Sequence, residues 1–105
     1  MSFSLKQIRY FIAAAETGQI SHAAVALNVS QSAVTAAIQQ LEGVLRTQLF
    51  QRRSNGVALT YDGSRFLQHA RNVLAAVNEA MRVPNAATRE IAGQIRVGVS
   101  YTVAG

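Results

Sequence analysis

Apolar residues recur every three or four positions along the first segment of the chain, residues 4–16. This spacing places them on one side of a helix and predicts an amphipathic α-helix that buries one face. Ser4 and Gln7 match a capping box, in which each side chain accepts a backbone hydrogen bond at the start of the helix. Gly18 then predicts the end of the helix. The predicted buried stripe consists of Leu5, Ile8, Phe11, Ile12 and Ala15.

A second and a third helix follow after short turns. Residues 21–27 form an alanine-rich helical segment, for which Ser21 is the predicted N-cap. Asn28 comes next, and asparagine adopts the left-handed conformation that ends helices more readily than other non-glycine residues. Ser30 is the predicted cap of a third helix over residues 31–44. The predicted buried stripe of this helix contains Val34, Ile38, Leu41 and Leu45.

Two short β-like runs, residues 48–51 and 57–60, predict a hairpin after the third helix. The tract between them ends in an Asn-Gly pair, which is typical of hairpin turns, and it places Arg52 and Arg53 at the predicted tip. These arginines have two interpretations, because a solvated turn and a phosphate-binding tip both favour exposed positive charge.

Thr60 is the predicted N-cap of a long fourth helix over residues 61–83, and Pro84 with Asn85 predicts its end. Its apolar residues alternate at spacings of three and four, which is the heptad pattern of paired helices. This stripe packs either on the chain's own first domain or on a second copy of the chain. Because a rod of about 35 Å extends well past a domain of about 60 residues, we expect a dimer. The predicted seam contains Leu67, Ala70, Leu74, Val77 and Met81, with Phe66 and Val73 as a flanking stripe toward the first domain.

The end of the chain has a different pattern. Ile95, Val97 and Val99 alternate with polar or small residues and predict one β-strand. The sequence contains no obvious second strand to pair with it, and single strands are not stable alone. We therefore expect this strand to open a second domain that the chain does not contain.

Composition narrows the function. Ten Lys and Arg residues against five Asp and Glu give a net charge of +5, which favours a partner rich in phosphate. Cysteine is absent, which excludes disulfides, thiolate zinc sites and thiol nucleophiles. The few acids and the two histidines, His22 and His69, form no recognisable catalytic or metal-binding pattern. With no secretory signal and no membrane-spanning run, we expect a cytoplasmic protein without an enzymatic role.

Residues 20–39 have the spacing of a helix-turn-helix motif. In DNA complexes of this motif, the second helix lies in the major groove with its N-terminal residues on base edges. Glutamine can bind adenine through two hydrogen bonds, and threonine can place its methyl group on thymine. A plain helical hairpin that only completes a core is the alternative. The exposed polar face of the third helix carries Gln31, Ser32, Thr35, Ala36, Gln39 and Gln40.

Taken together, these motifs resemble the N-terminal domain of LysR-type transcriptional regulators. The likeness extends through the fourth helix to residues 93–98, which look like the first strand of the family's effector-binding domain. No single motif is specific, but their order and spacing are. The matching residues are Leu5, Ile8-Arg9-Tyr10-Phe11, Ala23-Ala24, Val29-Ser30-Gln31-Ser32, Ile38, Leu41-Glu42, Gln48-Leu49-Phe50, Leu59-Thr60 and Gly63.

The resemblance implies a mainly α fold, with a winged helix-turn-helix over residues 1–60 and a coiled-coil linker helix over residues 61–88. The motif would occupy residues 20–39, the wing residues 47–60, and the hinge and first strand of a truncated effector-binding domain residues 89–105. Such proteins bind double-stranded DNA as homodimers or tetramers in the bacterial cytoplasm, at the nucleoid. A small-molecule co-inducer is expected for the full-length protein, and no cofactor for this fragment.

Carried onto this sequence, the resemblance implies a DNA-binding surface that departs from the family pattern at three positions. Ser32 stands where proline is common, Ala36 where arginine is common, and Asn55 where the wing usually has arginine. The rival hypothesis from the residues is a basic coiled-coil module that binds an acidic protein without reading DNA sequence. The predicted DNA-binding residues are Ser30, Gln31, Ser32, Thr35, Ala36, Gln39, Arg52, Arg53 and Asn55.

Overall fold

The computed structural model describes residues 2–83, which contain four helices and one two-stranded sheet. The predicted helix end at Pro84 and Asn85, and the predicted strand near the end of the chain, lie outside these residues. A first compact unit ends at Ala75, and the described part of a second unit covers residues 76–83. The elements are α1 (Leu5–Thr17), α2 (Ile20–Leu27), α3 (Gln31–Leu45), β1 (Phe50–Arg53), β2 (Gly56–Leu59) and α4 (Tyr61–Met81).

The predicted caps of α1 are confirmed. Ser4 Oγ accepts a hydrogen bond from the Gln7 amide at 3.2 Å, and Gln7 Oε1 accepts one from the Ser4 amide at 3.0 Å. Both bonds satisfy amides that the first turn of a helix leaves without partners. At the other end, Gly18 adopts the left-handed conformation with φ 74° and donates its amide to the Ala14 carbonyl.

The turn between α2 and α3 is built by Asn28 and Ser30, as predicted. Asn28 lies in the left-handed region at φ 60°, and Ser30 Oγ accepts a hydrogen bond from the Ala33 amide at 3.1 Å. The prediction that Ser21 caps α2 is wrong. The extended N-cap is Gln19, whose carbonyl already accepts the Ala23 amide, so the first helical turn encloses Ser21.

The hairpin is shifted from its prediction. β1 and β2 are antiparallel, and the register pairs Phe50 with Leu59 and Arg53 with Gly56. Ser54 and Asn55 therefore form the turn, and the arginines do not lie at the tip but end β1. The predicted turn tract, residues 52–56, is shortened because Arg52 and Arg53 pair with Val57 and Gly56 and so belong to the strands.

Two groups of apolar side chains form the core of the first unit. One fills the angle between α1, α2 and α3 and contains Ala14, Ala23, Ala24, Val34 and Ile38. The other is centred on Phe11, whose ring lies 5.3 Å from the ring centroids of both Phe50 and Phe66. Offset and tilted rings at this distance are favourable beyond the area that they bury. The second group contains Ile8, Phe11, Ile12, Leu41, Leu49 and Ala70.

The first turns of α4 belong to this core. Thr60 Oγ1 accepts a hydrogen bond from the Gly63 amide at 2.9 Å, which confirms the predicted cap. Ala70 is 1% exposed, and Leu67 and Leu74 pack against the Phe11 group. The structure thus places this half of the predicted dimer seam on the chain's own core, and Ala70 retains no surface for a partner.

The other predicted apolar residues in the second half of α4 are more exposed than Ala70. Val73, predicted to face the first domain, is 41% exposed, and Met81 is 74% exposed. Val77 is half-buried. The dimer seam therefore stays a prediction, for which Met81 offers the most accessible side chain. Across residues 2–83, none of the helices has the length and apolar character needed to span a bilayer.

Candidate nucleic-acid interface

The outer side of α3 is a polar surface, and the inner side of the same helix packs on α2. Val34 and Ile38 on its inner side are buried against Ala23 and Ala24 of α2. Because alanine is small, α2 approaches α3 closely and fixes its orientation. Ser30 is engaged in the helix cap, and its hydroxyl lies 3.2 Å from that of Ser32. Thr35 is half-buried, while the outward residues Ser30, Gln31, Ser32, Ala36 and Gln39 are exposed.

A cleft of about 240 Å³ separates this face of α3 from the hairpin. Thr35 and Gln39 line it from α3, and Gln51 and Arg52 line it from β1. Ile20, Ile38, Phe50 and Val57 supply its apolar part. The cleft therefore brings hydrogen-bonding groups of the helix and a cation of the wing to the same opening.

A second groove, of about 440 Å³, lies beside the first and is more polar. It joins Gln31 of α3 to Arg52, Arg53 and Asn55 of the hairpin. Its other wall is the start of α2, with Gln19, Ile20 and Ser21. Among the described residues, neither arginine forms an ion pair with an acidic side chain. Both guanidinium groups are thus available to an anion that enters the groove.

Ala36 lies apart from these grooves, on the side of α3 that faces α1. There it lines a depression together with Gln40, Lys6 and Gln7. Gln7 Nε2 donates a hydrogen bond to Gln40 Oε1 at 2.8 Å, which links the two helices across this side. The predicted DNA-binding residues thus divide between two sides of α3, with Ala36 separate from the wing.

Three residues near the predicted site were not identified from the sequence. Gln48 and Gln51 line the cleft between α3 and the hairpin, and exposed Lys6 adds a positive charge beside Ala36. Polar residues in a short strand and a lysine on an amphipathic helix are common at any surface. Only the packing of α1 and β1 against α3 distinguishes them, so the sequence carried no signal for them.

The hairpin is attached to the turn between α1 and α2. The Val57 amide donates to the Gly18 carbonyl at 2.9 Å. Gly56 lies directly against this turn, because a Cβ placed on it would be 2.2 Å from the Gly18 oxygen. The φ of Gly56, 147°, is also one that other residues rarely adopt. This contact fixes the turn end of the wing relative to the start of α2.

The acidic side chains of residues 2–83 are occupied by other contacts. Glu16 pairs with Arg71 at 3.5 Å, Asp62 accepts from Thr47 at 3.0 Å, and Glu79 pairs with Arg82 at 3.4 Å. The carboxylate of Glu42 accepts backbone amides. Within the same residues, no cluster of three or more potential metal ligands is present.

The tight helical pair, the polar outer helix and the two-stranded hairpin define a winged helix-turn-helix DNA-binding domain. Residues 5–64 match the model of the bacterial regulatory helix-turn-helix protein, lysR family. The chain belongs to the LysR family of bacterial transcription regulators, and it is not an enzyme.

Relatives and solved structures agree with this assignment. The chain is 46% identical over 99 residues to the HTH-type transcriptional regulator ClcR of Pseudomonas putida, covering 93% of this chain and 33% of ClcR. It superposes on the DNA-binding domain of CbnR in a DNA complex with a TM-score of 0.77 at 38% identity, covering 83% of this chain and 100% of that one.

The DNA-binding domain of BenM in complex with benA site 1 DNA gives a TM-score of 0.73 at 32% identity, covering 85% of this chain and 99% of that one. The similarity to both solved domains includes nearly their entire length. In contrast, the chain spans about one third of the length of ClcR.

Proposed function

We propose that this chain reads specific double-stranded DNA as the N-terminal part of a bacterial transcription regulator. The observation that carries the proposal is the cleft in which Thr35 and Gln39 of α3 face Arg52 of the wing. A duplex with α3 in its major groove would present base edges to the helix and a phosphate strand to the arginine. The likeness to DNA-binding domains solved on DNA supports this orientation.

The proposed contacts separate into two kinds. Side chains of α3 read base edges, because glutamine, serine and threonine offer donors, acceptors and, in threonine, a methyl group. Arg52, Arg53 and Asn55 bind phosphates or the minor groove, where positive charge is favoured without regard to sequence. The α3 contacts are Ser30, Gln31, Ser32, Thr35, Ala36 and Gln39.

For the full-length protein, the proposal includes a homodimer or tetramer built on α4 and a small-molecule co-inducer. Two copies related by a two-fold axis would place two α3 helices about 34 Å, or a multiple of this, apart on the duplex. Residues 1–60 would bind DNA, residues 61–88 would dimerise, and residues 89–105 would open the effector-binding domain. A protein with this role works in the bacterial cytoplasm, at the nucleoid.

Selection of bound sequences from a random duplex library, followed by affinity measurements, tests the proposal. Thr35→Ala is expected to change base preference, whereas Arg52→Ala and Arg53→Ala are expected to weaken binding to every sequence. Each lost phosphate contact should lower the slope of log affinity against log salt by about 0.9. Equal losses for both kinds of variant on all duplexes would refute the division of roles.

The same measurements exclude or support the rival hypothesis of an acidic-protein partner. A polyanion-binding module without sequence reading would show no enrichment of any sequence in the selection. A protein-binding module would show no measurable duplex binding, or a salt slope near zero. The surface that faces outward from α3 is hydrogen-bonding and nearly uncharged, which favours base reading over attraction to acidic proteins.

A further inference from the structure

Glu42 accepts most of the backbone amides in the segment that connects α3 to the wing. The backbone carbonyl of Glu42 accepts the amide of Arg46, which caps α3, and the amide of Thr47 at 3.2 Å. Its carboxylate Oε2 accepts the Leu49 amide at 2.8 Å and the Phe50 amide at 3.3 Å. All backbone amides of residues 46–50 except that of residue 48 therefore bond to Glu42.

The position of this carboxylate is not explained by helix stability. Glu42 lies in the last turn of α3, where the helix dipole disfavours negative charge. Two charge-assisted bonds to amides of the next segment offset this cost. Half-buried Glu42 also lines the cleft that contains Thr35, Gln39 and Arg52. The carboxylate thus lies between the helix that reads bases and the strand that carries the arginine.

The bonds of Glu42 determine where β1 leaves the core. The Leu49 side chain is buried, and Phe50 is the first residue of β1, so their amides fix the direction of the strand. Arg52 follows two residues later on the same strand. On the return strand, the Val57 amide is held separately by the Gly18 carbonyl. Without Glu42, the wing would keep this second attachment and the packing of Leu49 and Phe50 on the core, but the Leu49 and Phe50 amides would lose their bond to α3.

We propose that Glu42 is a positioning residue for DNA recognition. Its carboxylate sets the distance between the outer face of α3 and Arg52, so that both engage one duplex at the same time. Glu42 acts through Arg52 and does not itself contact DNA. This inference rests on the proposed function, because it requires Arg52 to bind a phosphate.

A double-mutant cycle between Glu42 and Arg52 tests the inference. Binding of the 105-residue chain is measured by fluorescence anisotropy on a labelled duplex of about 30 base pairs obtained by selection from a random library. Arg52→Ala should weaken binding of the otherwise unchanged chain about tenfold, the size of one charged contact. In the Glu42→Ala background, the same change should weaken binding less than about twofold.

Glu42→Gln provides the rescue. Its amide oxygen accepts the same two backbone bonds without the charge, so the factor for Arg52→Ala should return to about tenfold. A role confined to overall stability predicts the same Arg52 factor in every folded background. An unchanged factor in Glu42→Ala overturns the proposal, and so does a Glu42→Gln variant that behaves like Glu42→Ala.

Two controls keep the outcome interpretable. Glu16→Ala removes a negative charge at the exposed end of α1, and it should leave the Arg52 factor unchanged. If circular dichroism shows Glu42→Ala to be unfolded, Glu42→Asp replaces it, because its shorter carboxylate keeps the charge but cannot reach both amides. Failure of the unaltered chain to bind any selected duplex refutes the proposed function. Additivity with normal binding refutes only the role of Glu42.

Discussion

Gly63 in the first turn of α4 has no room for even a single methyl group. A Cβ built on Gly63 would lie 2.1 Å from the Leu49 carbonyl oxygen and 3.1 Å from Leu59 Cδ2. The Leu49 backbone has little freedom to move away. Its carbonyl accepts the Thr60 amide at 3.0 Å, its amide donates to Glu42 at 2.8 Å, and its side chain is buried.

The expected change in the free energy of unfolding for Gly63→Ala is the sum of two destabilising effects and one stabilising effect. Ordinary contact begins near 3.4 Å, so helix and Leu49 must separate by more than about 1 Å. Overpacking of this kind costs about 3 kcal/mol, and loss of the Thr60–Leu49 hydrogen bond about 1 kcal/mol more. The better helix propensity of alanine returns about 1 kcal/mol. We expect a net loss of about 3 kcal/mol, or a fall in Tm of about 15 °C.

Thermal and urea denaturation followed by circular dichroism measures this loss. Gly43→Ala is the matched control, because the same substitution in α3 meets no atom within 4 Å at an exposed position. Only the propensity term applies there, so the free energy of unfolding should rise by about 0.5–1 kcal/mol. A change of stability in the same direction in both variants would contradict this expectation, and so would a Gly63→Ala variant with the Tm of the unaltered chain.

Three further predictions concern helix ends and the wing. Arg46 caps α3 in the left-handed region at φ 55°, a conformation that glycine adopts at lower cost. Arg46→Gly should therefore raise the free energy of unfolding by about 1 kcal/mol in urea denaturation. An unchanged denaturation midpoint would contradict this prediction. Ser4→Ala removes the capping box of α1 and should cost about 1 kcal/mol, whereas Ser2→Ala should cost nothing measurable. Arg53→Ala should lower the salt slope of duplex binding by about 0.9 without shifting the melting temperature; a stability loss would instead assign the residue to the fold.

The helix ends could be predicted because their chemistry is local. Ser4, Asn28, Ser30 and Thr60 act on amides or conformations within three residues, and the structure confirms all four. Arg46 adopts a conformation as unusual as that of Asn28, yet no sequence signal marks it, because arginine has no preference for the left-handed region. The position at which α3 ends depends on the contacts of the segment after it, and no local sequence pattern indicates those contacts.

The hairpin was predicted correctly, but the predicted bounds of its two strands were wrong. An Asn-Gly pair favours a turn at those two residues, but the Gly56 backbone lies against Gly18 and pairs with Arg53. Contacts between segments far apart in sequence thus shortened the predicted turn of residues 52–56 to Ser54 and Asn55. Glu42 was missed as a structural residue on similar grounds, since a side chain bonded to backbone seven residues away leaves no periodic pattern.

For the candidate site, the sequence predicted which residues of α3 form the DNA-binding surface, but not which of them lie beside the wing and which lie beside α1. The spacing of the helix-turn-helix motif was sufficient to place Gln31, Thr35 and Gln39 on the exposed side of α3. Which of these face the wing depends on how β1 packs, and only the structure shows Gln51 beside them and Ala36 on the other side. The sequence also could not show that Leu67, Ala70 and Leu74 of the heptad stripe pack on the chain's own core.

The inclusion of α4 in the core has a practical consequence for anyone who trims this protein. The family match ends at residue 64, yet the aromatic contact of Phe11 with Phe66 and the burial of Ala70 lie beyond it. A fragment cut where the sequence likeness stops would be missing one wall of its own hydrophobic interior. We therefore expect a fragment that folds alone to extend to about residue 75, about three helical turns past the recognisable motif.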